Sequence, residues 1–236
     1  MNDPYLLLWL EAPLQSWGHD SKFGRRDSLD FPTKSGVLGL LCCARGAGGE
    51  ERQWLEAWAK LDMQVVAYVI ADHHGQATPR LPLLCDFQMV GSGFDSKDPW
   101  ASLLIPKTSQ GKPAVGGGAK MTYRYYLQDM AFAVVIQGPD ELINEAAKAL
   151  INPVWDLYLG RKNCVPTEFI GQGVFATAEL GLSSAEHLAK CKKRVPVFRV
   201  VQGESEGEVF TLNDVPVQFG EQKKYMDRRV TLQKIE

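Results

Sequence analysis

The chain has 236 residues, 45% hydrophobic and 23% charged, with 26 basic and 28 acidic residues for a net charge of −2. Such values are ordinary for a soluble globular protein with a real core, and a sum this near neutral excludes a general polyanion sponge. No apolar run approaches membrane-spanning length, and the five cysteines form no C-x-x-C pair, which favours reduced thiols over a disulfide framework or zinc site.

The start, Met1-Asn2-Asp3-Pro4, lacks the basic residues of a signal peptide, so a cytoplasmic protein with no membrane contact is expected. Residues 5–10 are a short apolar run of strand length that Pro13 stops. A polar loop follows, holding Trp17, Lys22, Phe23, Arg25 and Arg26. Pro32-Thr33-Lys34-Ser35-Gly36 then introduces an apolar run, 37–44, that reads as a helix with Thr33 or Ser35 as its cap. Gly36 and Gly39 let its first turns pack close to another backbone or a ligand. A helix N-terminus offers unpaired N–H groups and partial positive charge, which suits phosphate. Two readings stand at this point: a strand-to-helix connection with ordinary caps, and a site for a polyanion with stackable bases.

After a glycine break at 46–49, Trp54, Leu55, Trp58 and Leu61 recur at helical spacing, so both tryptophans are expected as core anchors rather than stacking platforms. Residues 63–71 form a β-branched, apolar strand, Asp72-His73-His74-Gly75 its turn, and 80–90 its partner strand. Residues 91–120 differ from the rest. They hold the triplet Gly116-Gly117-Gly118 with Pro99, Pro106 and Pro113, and a loop this long in a compact domain is functional or mobile. We read it as a protruding hairpin inserted at about 91–122. Residues 121–137 return to strand character, and Gly138-Pro139-Asp140-Glu141 starts a helix with acids in its first turn. Ser183 with Glu186 makes a capping box for a short helix to about Cys191. Residues 195–201, 209–212 and 215–219 look like closing strands, while the basic tail at 223–229 has no reading on its own. Strand, helix, strand, then strand, helix, strand is the split βαβ order of a ferredoxin-like or RRM-like sheet. The expected fold is therefore α/β: a ferredoxin-like palm at 1–182 with an inserted basic hairpin, and a small β-rich part at 183–236.

The charges are sorted along the chain. Residues 99–128 contain no acid but carry Lys107, Lys112, Lys120 and Arg124, and 188–203 carry five cations with no acid. Acids gather instead at 50–56, 140–145 and 204–214. One nucleic-acid-binding face would produce this segregation.

The run P-L-Q-S-W-G at 13–18, followed by F-P-T-K-S-G-V-L-G-L-L at 31–41, resembles the N-terminal signature of the CasD, or Cas-five, family of type I-E CRISPR Cascade subunits, within the RAMP superfamily. D-F-Q-M-V-G at 86–91, Y-R-Y-Y-L-Q-D-M-A-F at 123–132 and Y-L-G-R-K-N-C-V-P at 158–166 are similar to further family blocks, in the expected order. The resemblance implies a thumb-like hairpin on a palm domain. It implies a structural subunit that grips the 5′ handle of the CRISPR RNA, caps a backbone of CasC subunits and helps seat the large subunit CasA, with target DNA a further candidate partner.

Catalytic patterns are sparse. There is no H-E-x-x-H or G-x-S-x-G, and the glycine triplet ends in Ala119-Lys120-Met121, so it is no P-loop. His19-Asp20 is a weak hint of a metal phosphohydrolase. A metal-independent endoribonuclease acting on repeat RNA would need a general base and acid, for which His19 with Tyr123 or Lys120 are the candidates. RNA binding without catalysis, cofactor or metal is the favoured reading. The residues expected to hold RNA are Trp17, Arg25, Arg26, Lys34, Ser35, Lys120, Tyr123, Arg124, Arg161 and Lys162, with aromatic rings stacking on bases and cations taking phosphates.

Overall fold

The computed structural model describes residues 3–19, 21, 24–90, 97–100, 107–112 and 120–235. Most of the hairpin expected at 91–122 lies outside the described residues. In chain order the elements are β1 (Tyr5–Glu11), β2 (Leu14–Gln15), β3 (Arg25–Arg26), α1 (Lys34–Arg45), α2 (Arg52–Ala59), β4 (Met63–Ile70), β5 (Leu84–Val90), β6 (Lys120–Gln128), β7 (Ala131–Gln137), α3 (Asp140–Ile151), β8 (Gly171–Phe175), α4 (Ala178–Cys191), β9 (Arg194–Gln202), β10 (Glu208–Gln218) and β11 (Lys224–Lys234).

Seven strands form one sheet in the order β10-β11-β9-β4-β7-β1-β8, and every neighbouring pair is antiparallel. Side chains alternate across it, as strand geometry requires. Leu6, Leu8 and Leu10 of β1 pack with Phe132, Val134 and Ile136 of β7 beneath α1, α2 and α3. Leu7, Trp9, Ala133 and Val135 face α4 on the other side. Both faces are covered, which is why β1 and β7 read as unbroken apolar runs.

Helix α1 begins as its sequence prescribes. Thr33 is extended and its side chain accepts the Gly36 N–H, while Gly46 closes the helix in the left-handed conformation at φ 70°. Trp58 is fully buried, and Trp54 stacks against it with ring centroids 5.3 Å apart.

Several expectations are corrected. Strand β5 is not the partner of β4, whose two edges are taken by β7 and β9; it pairs with β6 in a second, smaller sheet, from Leu84↔Tyr126 to Val90↔Lys120. The strand character expected over 121–137 is present as two strands, β6 and β7, which part at Asp129, whose φ is +49°. Helix α4 starts at Ala178 with Thr177 as its cap, not at the Ser183–Glu186 box, both of which lie within the helix. Its buried face is Ala178, Gly181, Ala185 and Ala189, a small-residue stripe that carries little hydrophobic periodicity. The basic tail is strand β11, paired along its length with β10.

The two sheets diverge at one corner. Strand β1 leaves the main sheet into β2, and β6 enters it as β7, while Leu14↔Gln128 and Gln15↔Leu127 pair the departing segments. The side chain of Gln15 is fully buried there. Its Nε2 donates to the carbonyls of Leu10, at 3.2 Å, and Met130, at 2.7 Å, and its Oε1 accepts from Trp17 Nε1 at 3.2 Å. Gln15→Leu keeps the volume but strands these buried groups, and each costs roughly 1–3 kcal/mol. Urea unfolding of the variant is expected to show a loss on the order of 3 kcal/mol; an unchanged midpoint would contradict the corner's role.

Candidate nucleic-acid interface

Strand β6 is the axis of the candidate site. It carries β5 along one edge, and the short β3 lies parallel on the other, with Arg25↔Tyr123 and Arg26↔Arg124 in register. A Cβ at Gly24 would stand 2.7 Å from the Met121 carbonyl oxygen, so only glycine lets this loop lie flat on β6. The Tyr123 N–H donates to the Gly24 carbonyl at 2.8 Å.

Alternate residues of β6 build two surfaces. On one, the Arg25 guanidinium sits over the Tyr125 ring at 4.9 Å and is held by the Asp27 carboxylate at 2.8 and 2.9 Å. Tyr123 there packs on Phe87 with centroids 5.1 Å apart, and both rings are exposed. On the other, the Arg161 guanidinium stacks over Tyr126 at 4.6 Å and donates from Nη2 to the Arg26 carbonyl at 2.8 Å. Asn163 donates to the Tyr126 hydroxyl at 3.2 Å.

The loop carrying Arg161 is pinned by backbone contact. Gly160 has φ +91°, and a Cβ there would fall 1.7 Å from the Ser16 carbonyl oxygen. The Ser16 N–H meanwhile donates to the Leu159 carbonyl at 3.1 Å. Between this loop and the hairpin lies an open cavity of about 510 Å³ lined by Gln88, Arg124, Arg161, Lys162 and Asn163 among others. Its charged lining residues are all cations. Arg161 Nη1 is buried and has no hydrogen-bond partner among the described residues, so the cavity is served by the rest of the guanidinium.

The structure thus brings Arg124, Arg161 and Lys162 around one cavity and puts Arg25 and Tyr123 on the other surface of β6, with Arg26 in register with Arg124 and Lys120 three residues up β6 from Tyr123. Ser35 lines a neighbouring cleft rather than this cavity, and its hydroxyl donates to Thr33 Oγ1 at 3.3 Å. Two expected contacts are corrected. Trp17 is only 1% exposed, with its ring wedged against Gly36, so it serves the core instead of stacking on bases. Lys34 does not project from an exposed helix start: its side chain is fully buried.

The Lys34 ammonium donates to the carbonyls of Ala59 at 3.0 Å and Leu61 at 2.6 Å, satisfying the end of α2. Its backbone N–H donates to Asp214 Oδ2 at 2.8 Å, and Asp214 also takes a bidentate pair from Arg228 at 2.7 and 2.9 Å. Burial pushes the Lys34 pKa down to about 8, with Arg228 adding to the effect against Asp214 and Asp62. Sequence reasoning missed Gln15, Asp214 and Arg228, and no local signal marks them: Asp214 and Arg228 lie in mixed or polar strands.

For the nuclease alternative, no hydrogen bond among the described residues joins His19 to Tyr123 or Lys120. No cluster of three or more His, Cys, Asp or Glu side chains suited to a metal occurs among the described residues. Among them, too, no helix is long and apolar enough to cross a membrane.

Residues 5–231 match the model of the family described as CRISPR-associated protein (Cas_Cas5). The chain is 29% identical over 175 residues to the CRISPR system Cascade subunit CasD of Escherichia coli (strain K12), a match spanning 71% of this chain and 70% of that one. It superposes on a chain of a CRISPR RNA-guided surveillance complex with TM-score 0.68 and 26% identity, covering 98% of this chain and 89% of that one. A second solved structure, a Cas protein, gives TM-score 0.61 at 25% identity, covering 98% and 94%.

The buried ammonium makes a pH prediction. A lysine whose folded pKa lies below its unfolded value destabilises the fold while protonated in both states, and that penalty is relieved as pH rises from about 8 toward the ordinary 10.5. Wild type should therefore gain stability relative to Lys34→Met across that window, by on the order of 3 kcal/mol in all. Denaturant unfolding at stepped pH measures it, and a gap that stays constant would contradict the buried charge.

Proposed function

The chain belongs to the CRISPR-associated protein (Cas_Cas5) family, and from that membership we propose that it is a non-enzymatic, RNA-binding subunit of a Cascade-type surveillance complex. It grips the 5′ handle of the CRISPR RNA along β6 and caps one end of a backbone filament of CasC subunits, next to the large subunit CasA. The observation that carries the RNA reading is the cavity beside β6, whose charged lining among the described residues is Arg124, Arg161 and Lys162 with no acid. Planar guanidinium groups suit phosphate oxygens, and stacking Arg161 on Tyr126 fixes the orientation of the fork before RNA arrives. Exposed Tyr123 and Phe87 on the other surface of the same hairpin offer rings to bases or to a neighbouring subunit.

We read β4-β7-β1-β8, with α1–α2 and α3 as the crossovers, as a ferredoxin-like palm, and the β5–β6 pair as the base of its thumb. The last three strands extend the palm's sheet beyond β4 and hold Asp214 and Arg228 against the start of α1.

The test is equilibrium binding of single-stranded RNA carrying the host's CRISPR repeat, measured against salt. Each lost phosphate contact on a single strand lowers the slope of log affinity against log salt by about 0.7. Replacing both Arg161 and Lys162 with Ala should weaken binding about tenfold or more and flatten the slope by one to two contacts' worth. The RNA should be recovered intact with or without divalent metal. Unchanged affinity and slope in the variant would overturn the assignment of this cavity.

A further inference from the structure

Next to the cationic cavity lies a second cleft, of about 550 Å³, and the two share Tyr158 and Gly160 as a common wall. Its character is different. Among the described residues, the charged ones lining it are one acid, Glu51, and one base, Lys223, and most of the remainder are aromatic rings and glycines. Its floor is the half-buried face of α1 that carries Ser35, Gly36, Gly39 and Cys43. A Cβ at Gly39 would meet nothing within 4 Å, so the cleft reaches down to the helix backbone there. One turn earlier, Gly36 is backed by the Trp17 ring, 2.8 Å from the position of a Cβ.

The walls come from two distant segments. Trp155, half-exposed, and Tyr158 belong to the connection between α3 and β8, while Tyr225 and Lys223 belong to the end of the β10–β11 hairpin. Both segments are fixed by backbone hydrogen bonds, one to the last turn of α1 and one to the loop that leads into α2. Val154 donates to the Ala44 carbonyl at 2.9 Å, and Phe219 donates to the Glu50 carbonyl at 3.0 Å. The cleft is thus preformed, and its volume falls in the range of small-molecule sites, about 300–1,000 Å³.

We propose that this cleft is a pocket for one unstacked nucleobase of the bound RNA, whose phosphate lies in the adjoining cationic cavity. The proposal rests on the RNA reading above. It follows from the division of charge across the shared Tyr158–Gly160 wall: cations on one side suit a phosphate, and near-neutral aromatic walls on the other suit a neutral planar ring. Rings stack on every base, so the walls supply affinity. The Ser35 hydroxyl, Glu51 carboxylate and Lys223 ammonium supply hydrogen-bonding groups for its edge.

Gly39→Leu tests the pocket without threatening the fold. The new side chain enters open space, and leucine is a better helix former than glycine. Wild type and variant are titrated with fluorescent single-stranded repeat RNA and with a series in which one nucleotide at a time is abasic. For wild type, one abasic position should cost about tenfold to a hundredfold in affinity, the stacking worth of a single base. In Gly39→Leu, and in Trp155→Ala, intact RNA should bind as weakly as that abasic RNA binds wild type, and the abasic substitution should cost nothing further. If wild type binds the RNA but no abasic loss disappears in Gly39→Leu, the pocket is wrong while the RNA reading stands. If wild type binds no RNA, the RNA reading fails and the pocket with it.

Discussion

A buried amide holds the corner on which the candidate interface hangs. Strands β1 and β7 lie side by side in the main sheet, and both lose that pairing at the same place, where β2 and β6 turn away. Sheet ladders normally satisfy backbone carbonyls; here the ladder ends at Glu11↔Ala131, with Leu10 just inside that end and Met130 just beyond it. Gln15 donates to both carbonyls from one side chain and accepts from Trp17 with its own carbonyl. With that amide in place, β6 can run on from β7 at a fixed angle, and β3, β5 and the loop at 158–163 can be built on it. The positions of Arg124 and Arg161 relative to the core trace back to this corner.

A second set of buried polar groups ties the chain's ends together. Asp214, on β10, accepts from the Lys34 backbone at the start of α1 and from the Arg228 guanidinium on β11. Lys34 in turn caps the carbonyl end of α2. Burying two cations with one carboxylate is expensive, and such a cluster persists only where each charge is matched by well-formed hydrogen bonds. Its effect here is to clamp β10–β11 over the entrance of α1. That clamp places Tyr225 and Lys223 along the cleft above Gly39.

The parts of this architecture readable in the sequence were those encoded locally. The apolar run of β1, the Thr33 cap, the Trp54–Trp58 spacing and the acid-rich start of α3 each fold by short-range rules, and each appears where those rules put it. Lys34 could not be read this way. A lysine in the first turn of a helix is ordinarily solvated, and the carbonyls that its buried ammonium reaches, Ala59 and Leu61, are brought to it only by the packing of α2. The same holds for β5, whose choice of β6 over β4 depends on β9 arriving from the far end of the chain. Helix α4 was misplaced for a different reason: its packing face is alanine and glycine, set by the need to approach Val135, where a Gly181 Cβ would come within 2.8 Å. At the interface, Lys120, Arg124, Arg161 and Lys162 were legible as cations because the stretches 99–128 and 157–166 hold no acid, whereas Arg25 and Arg26 stand next to Asp27. Which of the aromatic residues face the core and which face solvent was not legible, since Trp17 and Trp155 differ only in the backbone that surrounds them.

The central claim is that CRISPR RNA lies along β6 and the loop at 158–163. Photocrosslinking reads this directly: the intact complex is assembled in its host on RNA containing 4-thiouridine, irradiated and digested, and the RNA-bearing peptides of this chain are identified by mass spectrometry. The account predicts crosslinks in peptides spanning 120–128 and 155–163. Crosslinks confined to α4 and the opposite face of the main sheet, with none in those two peptides, would contradict it.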